Sequence, residues 1–204
     1  MSTLLRLTLV SLCMLPMLVR AVDDAQIDAI LQHPFIKADF KKERKLKILS
    51  KPFVTYGVML FKPDKGVIWK TTRPIVDTIL IGKDEIRQLD KSAEGTQSIP
   101  ANNPIMTSAS KMFLTILSRD KGQILSVFDY SVETDTNNIR SYKLVPKEER
   151  LRQLVSAIRL SGQDRIQVIE IVETGGDSTT IYLSNELFDK TKLNPEELAL
   201  FESI

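Results

Sequence analysis

From Ile36 onward the apolar residues recur at every second position, and that period commits the chain to β structure. Ile36, Ala38, Phe40, Leu46 and Ile48 share one parity; Lys37, Asp39, Lys41, Glu43, Lys45 and Lys47 share the other. Successive side chains of a strand point to opposite faces, so the alternation predicts a half-buried antiparallel strand. Lys42 and Arg44 fall on the apolar parity and interrupt it. Turn-forming stretches at Ser50-Lys51-Pro52 and Lys62-Pro63-Asp64-Lys65-Gly66 bound a second strand over 53–61, which is apolar on both parities. Strands over 67–71, 75–81 and 85–89 follow after short turns, and connections this short make neighbours antiparallel.

Residues 91–103 are polar and turn-rich, which predicts a loop. Pro104 then opens a helix with Asn103 as its cap. Ile105, Met106, Ala109, Met112, Phe113, Ile116 and Leu117 give it a broad apolar stripe, and Lys121-Gly122 is its expected end. After a helical turn around 124–128, strands are expected over 130–134, 139–144, 154–160, 166–172 and 179–183. Gly162-Gln163-Asp164 and Gly175-Gly176-Asp177 supply hairpin turns. Asn194-Pro195-Glu196-Glu197 is a capped helix start before Leu198 to Phe201. A short helix over 23–32, stopped by His33-Pro34, precedes the first strand. The pattern is mainly β: about ten strands in two meanders, with a helix between them. A sheet that long curls, and its concave face must be filled by side chains, by a helix or by a ligand.

Residues 1–21 have a different character. Arg6, an apolar run from Leu7 to Val19 and the small-residue exit Val19-Arg20-Ala21 describe a secretory signal peptide. The run is too short to span a bilayer, and Pro16 interrupts it. Cys13 lies inside this segment, so the expected mature chain, a single domain over 22–204, has no cysteine and can enter an oxidising compartment without thiol chemistry. Losing Arg6 and Arg20 takes Lys+Arg from 28 to 26 against 26 Asp+Glu, so the net charge falls from +2 to zero. A neutral chain lacks the basic surplus that nucleic-acid binding needs.

Candidate chemistry is sparse. His33 is the single histidine and stands before a proline, with no placed partner for a triad. The chain has no Gly-x-Ser-x-Gly elbow and no glycine-rich phosphate loop, and one histidine without a mature cysteine does not make a zinc site. Glu133-x-Asp135-x-Asn137-Asn138 has the alternation of a calcium loop but lacks its glycine and distal glutamate. No catalytic residue, metal or cofactor is therefore expected, and the chain does not look like an enzyme.

Apolar surface is what remains. The second strand is apolar on both faces, and the helix after Pro104 brings two methionines and a phenylalanine. Two arrangements account for this: a sheet covered by a helix on one face and loops on the other, or a cavity between curved sheet and helix lined partly by Met106, Met112 and Phe113. Methionine tolerates variable packing, which suits a ligand of indefinite shape.

Phe40, then Gly57-Val58-Met59-Leu60-Phe61-Lys62-Pro63, Gly66-Val67-Ile68-Trp69, Pro74 and Ile79-Leu80-Ile81 give the stretch 40–89 a recognisable signature. It resembles the periplasmic outer-membrane lipoprotein carriers of the LolA-like family, as a divergent member. The resemblance implies an open, unclosed antiparallel half-barrel with a helical lid over an apolar cavity. It implies transfer of an acylated lipoprotein or glycolipid through the periplasm of a Gram-negative cell, between an inner-membrane exporter and an outer-membrane acceptor, by a monomer without cofactor. Phe40, Val58, Leu60, Trp69, Ile79, Ile81, Met106, Met112 and Phe113 are then the expected acyl-chain contacts. Lys62 stands before the turn proline, where the family has a functional arginine, and Lys42 replaces a family glutamine. Lys62 is thus expected at the release of a head group. If the first strand keeps its parity, Lys42 and Arg44 face inward beside the cavity and are expected to hold a polar or anionic head group; the alternative is a bulge that turns them to solvent, or a place at the mouth. The competing expectation is a periplasmic interaction module whose groove docks a membrane exporter.

Overall fold

The computed structural model describes residues 31, 37–83, 85–89, 96–99, 104–134, 140–163, 165–189 and 192–204. The expected signal segment lies outside the described residues. So does most of the helix expected over 23–32, of which Leu31 is described, helical and buried.

Among the described residues eleven strands form one sheet: β1 (Lys37–Lys45), β2 (Phe53–Lys62), β3 (Gly66–Arg73), β4 (Asp77–Ile81), β5 (Ile86–Leu89), β6 (Thr96–Ile99), β7 (Phe128–Thr134), β8 (Arg140–Pro146), β9 (Val155–Ser161), β10 (Val168–Glu173) and β11 (Ser178–Leu187). Their spatial order is β6-β5-β4-β3-β2-β1-β11-β10-β9-β8-β7, antiparallel throughout and not closed into a barrel. Each meander keeps its sequence order, and the first and last strands pair at the centre. β6 and β7, consecutive in the chain, therefore lie at opposite edges. The chain between them carries α1 (Pro104–Ser118) and α2 (Lys121–Val127) across the sheet. Two further short helices among the described residues are α3 (Glu149–Arg152) and α4 (Pro195–Glu202).

Three expectations are corrected. β6 pairs with β5 inside the stretch read as a loop; its Thr-Gln-Ser-Ile sequence has no apolar alternation, and an edge strand needs only its backbone to pair. The first strand ends at Lys45, and the backbone turns at Leu46–Leu49, leaving Ile48 88% exposed rather than part of a buried face. The central helix stops at Ser118, not at Lys121-Gly122. Arg119 takes a left-handed φ of 54°, and the Asp120 side chain accepts from the backbone N–H of Gln123, capping a second helix.

Pairing decides which half of β2 faces inward. Phe40 stands opposite Gly57, and Met59 pairs with Trp69, which pairs with Ile79. Ala38, Phe40, Met59, Phe61, Val67 and Trp69 thus share one face, and Ile79 and Ile81 pack against them together with Met112, Ile116 and Leu117 of α1. Leu60, Ile68 and Leu80 lie on the other face, under Leu193 and Phe201. α4 is held there by a capping box between Asn194 and Glu197, and Glu197 also takes an ion pair from Lys37 at 2.5 Å. Each face of β2 has its own helical cover, which is why both its parities are apolar.

Candidate ligand-binding cleft

The inner face of the first meander is packed at one end and open at the other. At the packed end the Phe40 and Trp69 rings stand 4.1 Å apart, and Trp69 meets Phe113 of α1 at 6.0 Å. Gly57 makes this stack possible. A Cβ there would lie 2.0 Å from the Lys70 carbonyl oxygen and 2.7 Å from Phe40 Cζ. Phe40, Trp69, Met112, Ile116 and Leu117 are all buried. The protein's own side chains thus occupy the centre of the face, where an acyl chain was expected to sit.

Space opens beyond Trp69. A cleft of about 530 Å³ is lined by Lys42, Phe53, Thr55, Thr71, Pro74, Ile75, Val76, Asp77, Gln88 and Leu89. These residues come from β1 to β5 and from the β3–β4 turn. Its size falls within the range of about 300–1,000 Å³ common for small-molecule sites. The rim is greasy and wet at once: Phe53, Ile75 and Val76 are 50%, 70% and 60% exposed.

The remaining lining is polar. Lys42 and Thr55 are cross-strand partners, as are Thr71 and Asp77. The Lys42 ammonium lies 5.7 Å from the Trp69 ring centre and forms no ion pair among the described residues. Burial is the main cause that lowers its pKa from the ordinary lysine value, and Arg44 adds to it while Asp77 opposes. Thr55 is 6% exposed, and its hydroxyl has no hydrogen-bond partner among the described residues. Asp77 accepts from the Gln88 amide at 3.1 Å.

The remaining expected contacts scatter. Ile79 and Ile81 pack against the inner cluster with Phe113. Met106 lies in α1, but its side chain is outside the described residues. Val58 and Leu60 are corrected: they face outward, into the cluster under α4, because the register gives the inner face to Gly57, Met59 and Phe61. Lys62 shares that outward face, with its ammonium 4.8 Å from the Phe201 ring and away from the cleft. Arg44 reaches Glu173 at 3.3 Å and Asp177 at 3.9 Å, so acids of the β10–β11 hairpin already compensate its charge. Thr55, Thr71, Asp77 and Gln88 were not foreseen. Counting parity outward from Lys42 through the hairpins would have found Thr55 and Thr71.

The sequence pattern of the outer membrane lipoprotein carrier protein LolA matches residues 34–196, most of the chain. The chain belongs to the LolA family. No curated protein matches it. Among solved structures it is similar to a LolA superfamily protein from Nitrosomonas europaea, with 9% identity over 85% of this chain and 98% of that one and a TM-score of 0.46. A domain from Vibrio parahaemolyticus whose name refers it to outer membrane lipoprotein sorting has 11% identity over 89% and 97%, with a TM-score of 0.46. LprF from Mycobacterium bovis has 12% identity over 84% and 97%, with a TM-score of 0.38. No helix among the described residues of this LolA-family chain is long and apolar enough to cross a membrane.

Proposed function

We propose that this LolA-family protein is a periplasmic carrier, not an enzyme, which shelters the acyl chains of a lipoprotein or acylated lipid and moves them toward the outer membrane. The observation that carries this reading is the joining of two surfaces. A continuous apolar face under α1 runs into a half-open cleft with an exposed greasy rim. The described fold is then the closed, unloaded form. An acyl chain entering past Phe53, Ile75 and Val76 would displace Phe113 and Met112 and lift α1.

Burial gives a gross gain of roughly 0.8 kcal/mol per methylene, so about fourteen methylenes supply on the order of 10 kcal/mol. Part of that replaces the packing between helix and sheet, which leaves the exchange close enough to balance for uptake and release. Export removes residues 1–21 in this reading, and the mature protein starts at Val22.

Native mass spectrometry of protein purified from the periplasm tests the proposal. Co-purifying acylated molecules, on a polypeptide whose mass begins at Val22, are expected. An empty protein that takes up no acyl chain and instead captures an inner-membrane exporter would overturn it in favour of a docking module.

A further inference from the structure

We infer that the cleft beside Trp69 is a head-group subsite selecting acyl ligands that end in an anion, a phosphate or a carboxylate, with Lys42 as its counter-charge. The inference rests on the carrier reading and adds to it the chemistry at the polar end of the cargo.

Three observations meet at this spot. Lys42 is half-buried, with its ammonium over the Trp69 ring, and has no ion-pair partner among the described residues. Partial burial removes part of its hydration, and an anion beside it would restore what is lost. Its neighbour across the ladder, Thr55, is buried with a hydroxyl that finds no partner among the described residues, and buried hydroxyls are ordinarily hydrogen-bonded. Both line a cavity large enough for a head group.

Of the other charges nearby, Arg44 is bridged to Glu173 and Asp177. Asp77 takes the Gln88 amide and keeps its negative charge in the same cleft, so an anion would sit on the side of Lys42 and Thr55. One anion in the cleft would neutralise Lys42 and accept from the Thr55 hydroxyl. The apolar rim, Phe53, Ile75 and Val76, would cover the first methylenes of the attached chain.

Trp69 is the protein's one tryptophan and lies 5.7 Å from the Lys42 ammonium, so its fluorescence reports on the cleft. Titrating the full mature protein with dodecyl phosphate, dodecanoate and dodecyl maltoside separates chain from charge. Both anions are expected to bind about tenfold more tightly than the neutral maltoside, the size of effect a charge-assisted hydrogen bond gives. Lys42→Met should erase that preference while leaving maltoside affinity intact, and Lys42→Arg should retain most of it. Thr55→Val should weaken the anions alone, by a few-fold. A preference for only one of the two anions identifies the head group as phosphate or carboxylate.

Equal affinity for all three probes, unchanged by Lys42→Met, overturns the head-group subsite and leaves the carrier reading standing. Failure of every probe to bind removes the carrier reading and the subsite with it.

Discussion

Arg119 is a buried cation and Lys42 a half-buried one; burial lowers the pKa of each, yet their surroundings differ. Arg119, where α1 ends, has its guanidinium 3.1 Å from Glu186 of β11, and the two side chains are 1% and 4% exposed. It also donates to the Ile166 carbonyl at 3.5 Å. Lys42, half-buried at the open end of the sheet, lines a cavity shared with Asp77 but forms no ion pair among the described residues. A buried cation supplied with an acid inside the chain fixes architecture, here by tying the covering helix to the last strand. A half-buried cation that lines a cleft and has no ion pair within the described chain is where the proposed head group would supply the counter-charge.

The strongest way to break this comparison is to remove the carboxylate beside the buried cation. Glu186→Gln leaves the Arg119 guanidinium facing a neutral amide at that position and also takes away the carboxylate 4.0 Å from Arg165. The expected loss is about 3 kcal/mol in urea denaturation, with faster hydrogen exchange in α1. A loss below about 1 kcal/mol would mean that the pair does not hold the helix, and the distinction drawn above would fail.

Packing at the closed end gives the next effect. Gly57→Ala puts a methyl carbon against the Lys70 carbonyl oxygen and the Phe40 ring. A backbone atom cannot yield as a flexible side chain can, so a cost of about 2 kcal/mol is expected, along with a shift in Trp69 emission as its partner ring moves. Unchanged stability and emission would show that the stack is loose.

The sequence exposed some of this and hid the rest for identifiable reasons. Period-two alternation gave away most strands, and Asn194-Pro195-Glu196-Glu197 announced α4, because each signal is local. Lys42 stood out because it broke the parity of its own strand. In β2 both parities are apolar, and only the pairing of Phe40 with Gly57 decides between them, so Val58 and Leu60 were assigned to the wrong face. Arg119 and Glu186 are 67 residues apart and meet only because the two meanders join through β1 and β11. No local pattern records that meeting. The closed interior was equally hidden, since the same methionines and phenylalanines serve a filled core or a greasy cavity.

Removing the unpaired cation should have the opposite sign to removing the acid. Lys42→Met keeps the stem that packs beside Trp69 and discards a charge with no ion-pair partner among the described residues. It is expected to raise stability by about 1 kcal/mol or less in the absence of ligand. A clear destabilisation would reveal a partner for Lys42 and undo the comparison from its other side.

The smallest effect is a slope. Burial, with help from Arg44 and against the pull of Asp77, holds Lys42 below the ordinary lysine value of 10.5. Between that lowered value and 10.5, the folded protein has released a proton that the unfolded chain still holds. Stability rises with pH wherever the unfolded state binds more protons, so this group makes the empty protein slightly more stable as pH climbs through that window. Lys41, whose pKa is raised chiefly by its hydrogen bond to Glu43, acts above 10.5 and in the opposite sense. Subtracting the Lys42→Met profile from wild type isolates the Lys42 contribution from Lys41 and from the other lysines. Repeating the measurement with saturating dodecyl phosphate should reverse its sign, because a bound anion raises the Lys42 pKa and makes the charged form the stabilising one. A difference profile that is flat in both conditions would place the ammonium in water, where it needs no partner from the chain or from a ligand.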